Sequence, residues 1–247
     1  MTRPPEHGIS ARLLGRLLEA IEGETAVLYA SRNFRRRSPE PVLEEALGWR
    51  RGGGGVVGVD EAGRGPLAGP VVAAAVRFAP GRVTAGLDDS KRLTPEGRSA
   101  LFPRILREAD GVGLGLVTAG GVDRWNVREA ARRAMIRAVR DSGPAPRWVL
   151  VDGTLFESFP WPQAAVIGGD RRSPSIAAAS VVAKVVRDRL MECYHRILPV
   201  YRFDRHKGYP TQEHASAIRE YGPSSIHRRT FHVPALVLTL PLEESGP

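Results

Sequence analysis

Hydrophobic runs alternate with helical spacings along the chain from residue 56 onward. Short apolar runs predict strands at residues 56–60, 70–78, 113–119, 148–152 and 164–168. Apolar positions three and four residues apart predict helices at residues 95–109, 125–141, 174–198 and 212–221. Strands that first follow one another directly and are then separated by helices indicate an α/β layer structure.

The first 51 residues have a different pattern, and we predict a helical appendage there. Apolar residues between Ile9 and Ile21 have helical spacing, and a second short helical pattern runs from Val42 to Trp49. The glycines at 52–55 predict a flexible linker, because no Gly-Lys-Ser/Thr follows them to form a phosphate-binding loop. The appendage is compatible with clamping a substrate, dimerising, or packing on the rest of the protein. We divide the chain into an appendage (1–51), a linker (52–55), an α/β core (56–198) and a C-terminal helical, substrate-binding region (199–247).

Charge and composition narrow the class of partner. The 247 residues contain 36 Lys and Arg against 27 Asp and Glu, a net charge of +9 that favours a polyanion, either nucleic acid or an anionic membrane. The longest uncharged run, residues 230–242, is shorter than the roughly 20 apolar residues of a membrane span. The opening residues lack an apolar signal core and Cys193 is the single cysteine. These features predict a cytoplasmic protein.

Acidic residues lie at or just after the ends of three predicted strands, as Asp60-Glu61, Asp152 and Asp170. Each acid taken singly is compatible with a turn or cap. The strand ends of an open α/β sheet are, however, where catalytic groups collect. Four carboxylates brought together repel one another unless they are protonated or neutralised by cations. Mg²⁺ and Mn²⁺ prefer oxygen ligands, so the pattern predicts an acidic metal pocket in a basic protein, an arrangement suited to cutting phosphodiesters.

The segment after the first acids, Gly63-Arg64-Gly65-Pro66-Leu67-Ala68, matches the dinucleotide-binding pattern G-x-G-x-x-A. That function requires a helix to begin here, whereas residues 70–78 have the pattern of a strand. Asp60 and Glu61 would also place negative charge beside a bound pyrophosphate. These features argue against nicotinamide binding. Because neighbouring strand residues point to opposite faces, the strand is expected to end or twist at Asp60-Glu61, with Gly63 and Gly65 supplying freedom.

Several longer motifs resemble bacterial ribonuclease HII. They occur in that family's order between residues 56 and 232. The motifs are VDEAGRGPLAGPVVAAAV (59–76), DDSKRL (88–93), VDG (151–153), SIAAASVVAKVVRD (175–188), HKGYPTQEH (206–214) and IHRRTF (226–231).

The resemblance implies a ribonuclease H-like mixed sheet flanked by helices, with a helical C-terminal part. It implies a metal-dependent endoribonuclease that uses two Mg²⁺ or Mn²⁺ ions. The substrates would be RNA–DNA hybrids and duplex DNA containing single ribonucleotides. Cleavage on the 5′ side of a ribonucleotide would leave 3′-hydroxyl and 5′-phosphate ends. A monomer acting in DNA replication and ribonucleotide removal is expected. The alternative is a non-catalytic protein that binds RNA–DNA hybrids.

The resemblance also implies roles for individual residues. Asp60, Glu61, Asp152 and Asp170 resemble the family's four metal-binding acids. Gly63, Arg64 and Gly65 resemble the loop that contacts the backbone and the ribose 2′-hydroxyl, and Tyr209 resembles the tyrosine beside the following deoxyribose. Further substrate contacts are expected from Lys91 and Lys184, from Arg187 (to phosphate or to a loop), and from Lys207, which alternatively braces its loop.

Two other features affect this interpretation. The family usually has lysine where this chain has Gly168, and we hypothesise that Arg171 and Arg172 restore positive charge beside Asp170. The late histidines lack zinc-binding spacing, so we predict packing or hydrogen-bonding roles for them; they are His206, His214, His227 and His232.

Overall fold

The computed structural model describes residue 44, residues 55–87 and residues 93–232, together with the backbone of residues 25–30. The strands in this part of the chain are β1 (Thr25–Ala30), β2 (Val56–Ala62), β3 (Val71–Arg77), β4 (Gly111–Val117), β5 (Trp148–Asp152) and β6 (Gln163–Val166). The helices are α1 (Pro95–Glu108), α2 (Ala119–Asp141), α3 (Pro174–Ile197), α4 (Phe203–His206) and α5 (Gln212–Tyr221).

The strands form one mixed sheet in the order β1-β4-β3-β2-β5-β6. The pairs β1–β4, β4–β3 and β3–β2 are antiparallel, whereas β2–β5 and β5–β6 are parallel. Helices cover the sheet, and the predicted mixed sheet flanked by helices is confirmed. The parallel half matters for function, because its strands all end at the same edge.

Residues of β2 alternate between two hydrophobic layers. Val57 and Val59 belong to the layer packed by α2, and Val56 belongs to the layer packed by α3. Gly58 lets α3 approach closely, since a Cβ atom at this position would lie 2.3 Å from the Ser175 carbonyl carbon. Helix α3 is therefore held directly against the strand that carries the first acids.

The predicted helix starts are confirmed by their caps. Thr94 Oγ1 accepts a hydrogen bond from Gly97 N at 3.1 Å, and Ser173 Oγ accepts one from Ile176 N at 3.2 Å. Thr211 Oγ1 accepts from His214 N at 3.2 Å. A side-chain oxygen at the cap satisfies an amide that has no partner within the helix. These caps fix where α1, α3 and α5 begin.

Two elements begin more than one residue away from their predicted starts. Strand β4 begins at Gly111, two residues before the predicted start at 113. Helix α2 begins at Ala119 and breaks at Asn126, whose backbone (φ 63°, ψ 163°) is not helical. The Asn126 side chain then accepts hydrogen bonds from the Arg128 and Glu129 amides at 3.0 Å. The predicted start near Trp125 therefore corresponds to a second helical segment that Asn126 caps.

Strand β1 lies within the predicted helical appendage and was not predicted. It pairs antiparallel with β4, with Thr25 opposite Val117. The appendage also contacts the core through Glu44, because the Ser173 and Ser175 hydroxyls each donate to Glu44 Oε1 at 2.6 Å. Several predicted features lie outside the described residues: the helix at 9–21, the helix at 42–49 except for Glu44, the linker glycines before Gly55, Lys91 and the run 235–242. The division into appendage, linker and core stays a prediction.

Membrane insertion through a helix finds no support in the described part of the chain, where no helix combines the length and the apolar character that a span requires.

Candidate active site

The acids predicted to bind metal come from the parallel edge of the sheet. Val59 pairs with Val151, so Asp60 and Asp152 are the next residues on neighbouring parallel strands. Asp152 pairs in turn with Val166 at the end of β6, and a 3₁₀ turn at Gly169–Arg171 then carries Asp170. Topology thus brings three separate sequence segments to one corner of the sheet.

The Asp60 carboxyl has little solvent to stabilise its charge. It is 8% exposed, and burial raises its pKa well above the ordinary value. The charges of Glu61 and Asp152 raise the pKa further, whereas hydrogen bonds from the Ser180 side chain and the Glu61 amide oppose the rise. The amide bond to Asp60 Oδ1 is 2.7 Å long. An ionised Asp60 therefore requires compensating positive charge.

Glu61 shares this environment but has a cationic neighbour. Burial raises the pKa of Glu61 and the Asp152 charge adds to the effect, while Arg64 lowers it. Arg64 Nη1 donates to Glu61 Oε1 at 3.1 Å, and the Arg64 side chain remains half-exposed. Of the two expected alternatives, an end or a twist of the strand at the acidic pair, the end is wrong, because β2 continues to Ala62. The twist stays a prediction. Both carboxylates nevertheless interact electrostatically with Asp152.

Asp152 and the turn that carries Asp170 are joined by a backbone contact. Gly169 N donates to Asp152 Oδ1 at 2.8 Å. A Cβ atom on Gly169 would lie 2.5 Å from Ile176 Cδ1 and 3.2 Å from Asp152 Oδ1, so only glycine permits this approach. Asp170 is the next residue and is buried. Gly168, before the turn, has a φ of +63°.

The donor set suits a hard divalent cation. Carboxylate oxygens are the ligands preferred by Mg²⁺ and Mn²⁺, which commonly complete their shells with water and substrate oxygens. Asp60, Glu61 and Asp152 lie within range of one another's charge, and a cation between them would relieve that repulsion. In the described ranges, no three His, Cys, Asp or Glu side chains are close enough to coordinate an ion as a group. The residues fit a metal in chemistry and charge, without forming a closed cage.

The loop that follows the acids is held from inside by Arg228. Its guanidinium donates to three carbonyl oxygens, those of Gly63 (2.5 Å), Arg64 (2.9 Å) and Gly69 (2.9 and 3.1 Å). The side chain is 3% exposed, and burial lowers its pKa to about 9. Sequence reasoning did not select Arg228, although it lies in the IHRRTF motif.

Arg187 supports the same loop from α3. It is 1% exposed, and its guanidinium donates to the carbonyls of Pro70 (3.1 Å) and Ala68 (3.2 Å). Burial lowers its pKa to about 10. Its hydrogen bonds hold the loop in place, as one of the two predicted alternatives has it, and a contact with phosphate stays a prediction. Gly63 has a φ of +98°, and a Cβ there would lie 2.1 Å from Arg187 Nε.

Tyr209 lies beside this loop, and Gly63, Arg64, Gly65 and Tyr209 together are called the predicted recognition surface. Its ring is 5.8 Å from the Arg187 guanidinium carbon, and its Cε1 atom would be 3.7 Å from a Cβ on Gly65. The side chain is 42% exposed. The structure therefore brings together Gly63, Arg64, Gly65 and Tyr209 next to the acidic corner.

The predicted lysine contacts have protein partners. Lys184 Nζ donates to both carboxylate oxygens of Asp188, at 2.5 and 2.7 Å, and burial lowers its pKa. Lys207 Nζ donates to Glu192 Oε1 at 3.0 Å and to the Asp204 carbonyl. These contacts favour bracing for Lys207, one of the two predicted alternatives. A substrate contact by either lysine stays a prediction.

Comparisons with known proteins agree with the motifs and the fold. The profile of the Ribonuclease HII family matches residues 57–233. Ribonuclease HII of Geobacillus thermodenitrificans (strain NG80-2) is 46% identical over 231 residues, which covers 94% of this chain and 86% of that protein. Ribonuclease HII of Bacillus subtilis (strain 168) is 45% identical over 176 residues, covering 71% and 69%.

Solved structures show the same architecture. The crystal structure of ribonuclease H2 from Pyrococcus horikoshii OT3 is similar with a TM-score of 0.59 and 25% identity, covering 74% of this chain and 96% of that chain. The crystal structure of Bst-RNase HIII in complex with Mn²⁺ has a TM-score of 0.59 at 20% identity, covering 84% and 75%, and supports the fold. From its motifs, its acidic corner and these matches, the chain belongs to the ribonuclease HII family of ribonuclease H endonucleases, which depend on divalent metals and act on RNA–DNA hybrids.

Proposed function

We propose that this protein hydrolyses the phosphodiester on the 5′ side of ribonucleotides. Its substrates are RNA–DNA hybrids and single ribonucleotides embedded in duplex DNA, and its products carry 3′-hydroxyl and 5′-phosphate ends. The observation that carries the proposal is the convergence of Asp60, Glu61 and Asp152 at one corner of the sheet, next to the exposed side chains of Arg64 and Tyr209.

The four acids supply the catalytic charge. Asp60, Glu61 and Asp152 would hold two Mg²⁺ or Mn²⁺ ions, together with Asp170 in the adjoining 3₁₀ turn. When bound, such ions activate water and neutralise charge that develops on the phosphate. Ser180 donates a hydrogen bond to Asp60 and keeps that carboxylate in place. The Gly169 amide does the same for Asp152.

The Gly63–Gly65 loop and Tyr209 recognise the ribose. The 2′-hydroxyl is the group that separates RNA from DNA at a given sugar, and glycines let the main chain approach it closely. Tyr209, stacked near Arg187, packs on the following deoxyribose and crowds an added hydroxyl there. Lys91 and Lys184 contact phosphates of the duplex, and the net charge of +9 favours its association. We place the protein in the cytoplasm, as a monomer, in the removal of ribonucleotides from DNA during replication and repair.

Cleavage of an end-labelled DNA duplex containing one ribonucleotide tests the proposal. We expect the wild-type protein to incise 5′ to the ribonucleotide with Mg²⁺ or Mn²⁺, and Asp60→Asn to bind the duplex without cutting it. Glu108→Gln is the matched control, because Glu108 is a surface carboxylate paired with Arg104 at 3.5 Å. Tight binding without incision by the wild type would favour the non-catalytic alternative. Unchanged cleavage by Asp60→Asn would exclude the metal site.

A second measurement tests the role of Tyr209. We expect Tyr209→Ala to lose its preference for a ribose–deoxyribose junction more than its affinity for duplexes in general. Tyr221 is also an exposed tyrosine, at 53%, so Tyr221→Ala is the control for loss of a surface ring. An equal loss of activity on all substrates would contradict the sensing role.

A further inference from the structure

A buried pair of histidines lies beneath the recognition surface. His214 Nδ1 is 2.9 Å from the Tyr209 carbonyl oxygen, and His214 Nε2 is 3.0 Å from His227 Nε2. His227 Nδ1 in turn lies 2.9 Å from Ser224 N and 2.8 Å from Ser224 Oγ. The two rings form one hydrogen-bonded chain from the Tyr209 backbone to Ser224.

The direction of this chain is fixed by its end. An amide N–H can only donate, so the Ser224 amide requires an unprotonated Nδ1 on His227. His227 then carries its proton on Nε2 and donates to His214 Nε2. His214 therefore carries its proton on Nδ1 and donates to the Tyr209 carbonyl. Every bond in the chain forms only when both rings are neutral.

The surroundings keep the pair neutral. Both rings are buried, and burial is the main cause that lowers the pKa of each to about 4. The nearby titratable and charged groups, His206 and Arg229, lower these pKa values further. His206 stacks on His214 with 4.5 Å between ring centroids. The predicted packing and hydrogen-bonding roles are thus confirmed for His206, His214 and His227.

The pair links the two parts of the recognition surface, in addition to the direct hydrogen bond from the Leu67 amide to the Gly208 carbonyl at 2.8 Å. The Gly69 amide donates to the Ile226 carbonyl and the Arg228 amide donates to the Leu67 carbonyl, both at 2.8 Å. Through these bonds and the Arg228 guanidinium, the segment that carries His227 holds the loop of Gly63. The other histidine holds the Tyr209 backbone.

We propose that the hydrogen bond between His214 and His227 positions Tyr209 relative to the Gly63–Gly65 loop, and so sets the preference for a junction between ribose and deoxyribose. Both are positioning residues, since both side chains are buried beneath the surface on which the substrate is proposed to bind. The inference rests on the proposed function. It adds a determinant of specificity that lies under the substrate surface.

Two amide substitutions at the same position separate the bridge from simple packing. His227→Gln places an N–H donor near the Nε2 position and so keeps a donor toward His214. His227→Asn places an oxygen near the Nδ1 position, so it keeps the acceptor for Ser224 and lacks the bridging donor. Both variants replace the ring by an amide, and Asn is one methylene smaller than Gln.

The measurement is the ratio of kcat/KM for a duplex with one ribonucleotide to kcat/KM for a continuous RNA–DNA hybrid. We expect His227→Asn to lower this ratio by about three- to tenfold, the effect of one lost hydrogen bond, and His227→Gln to keep it near the wild-type value. In a Tyr209→Ala background, His227→Asn should cause no further fall. Equal ratios in both variants, whether lowered or unchanged, would overturn the inference.

Wild-type cleavage separates the two levels of the proposal. If the wild type cuts neither substrate, the proposed function fails and the inference fails with it. If the wild type cuts with a junction preference that both variants share, only the inference fails. Should His227→Asn not fold, ¹⁵N imidazole signals of Asp60→Asn provide the readout. We expect the junction duplex to shift the His214 signal more than an all-DNA duplex does, and equal shifts would overturn the inference.

Discussion

Gly63, in the loop beside the acids, has no room for a side chain. Its φ of +98° lies in the left-handed region, and a Cβ would be 2.1 Å from Arg187 Nε and 2.6 Å from the Pro70 carbonyl oxygen. For Gly63→Ala, the backbone costs about 1–2 kcal/mol. Moving Arg187 away gives up its 3.1 Å bond to Pro70, and hydrogen bonds of charged groups contribute about 1.5–3 kcal/mol. We therefore expect Gly63→Ala to lower the free energy of unfolding by about 3–5 kcal/mol.

Urea unfolding of Gly63→Ala and Gly65→Ala checks this value. Gly65 is the matched control in the same loop, because its added Cβ would make only an ordinary 3.7 Å contact with Tyr209 Cε1. We expect Gly65→Ala to stay within about 1 kcal/mol of the wild type. The reasoning is refuted if Gly63→Ala loses less than about 1 kcal/mol, or if both variants lose the same amount.

Further expectations concern charge and space. Burial and the charges of Glu61 and Asp152 raise the pKa of Asp60, so ionisation of this carboxyl lowers the free energy of unfolding as pH rises through that pKa. We therefore expect Asp60→Asn to have a higher melting temperature than the wild type in EDTA at pH 8. A lower melting temperature would contradict this. The His227 pKa of about 4 lies below its ordinary 6.5. The contribution of the neutral His227 ring to the free energy of unfolding is therefore complete above pH 6.5 and decreases as pH drops toward 4. Urea unfolding at pH 7.5 and at pH 5 measures how much free energy of unfolding each protein loses on acidification. We expect this loss to be smaller in His227→Gln than in the wild type by up to about 2 kcal/mol, and equal losses would disprove this pH dependence. We expect Gly168→Lys to fold and to lose about 1 kcal/mol of the free energy of unfolding, measured with urea. An added Cβ meets no atom within 4 Å, so the φ of +63° is the only source of strain. Failure to fold would contradict this.

The sheet and its acids could be predicted because both depend on local patterns. Apolar runs mark the strands, and Asp152 ends the run at 148–152 in the structure as in the sequence. Parallel pairing of β2 with β5 then brings Asp60 beside Asp152, as the α/β pattern required. The caps at Thr94, Ser173 and Thr211 are likewise local signals that sequence displays directly.

The supports of the site could not be predicted because they depend on contacts between distant segments. Arg228 reaches carbonyls more than 150 residues earlier in the chain, and no local pattern distinguishes it from the other arginines. The predicted phosphate contact of Lys184 did not anticipate Asp188, although that acid lies one helical turn further on. Strand β1 adds to the sheet edge through backbone pairing with β4, which side-chain periodicity in residues 25–30 did not reveal.

The Arg228 contacts also explain how a buried cation can support a loop that we propose binds a polyanionic substrate. A trans peptide places its C=O and the following N–H in opposite directions. The carbonyls of Gly63 and Arg64 are bound to Arg228, so the amides of Arg64 and Gly65 point away from the guanidinium. Those amide donors, with positive charge behind them, suit a phosphate or hydroxyl oxygen. A lysine at position 228 would retain the charge but lacks the planar fork that binds several carbonyls at once, so charge alone does not account for the arginine.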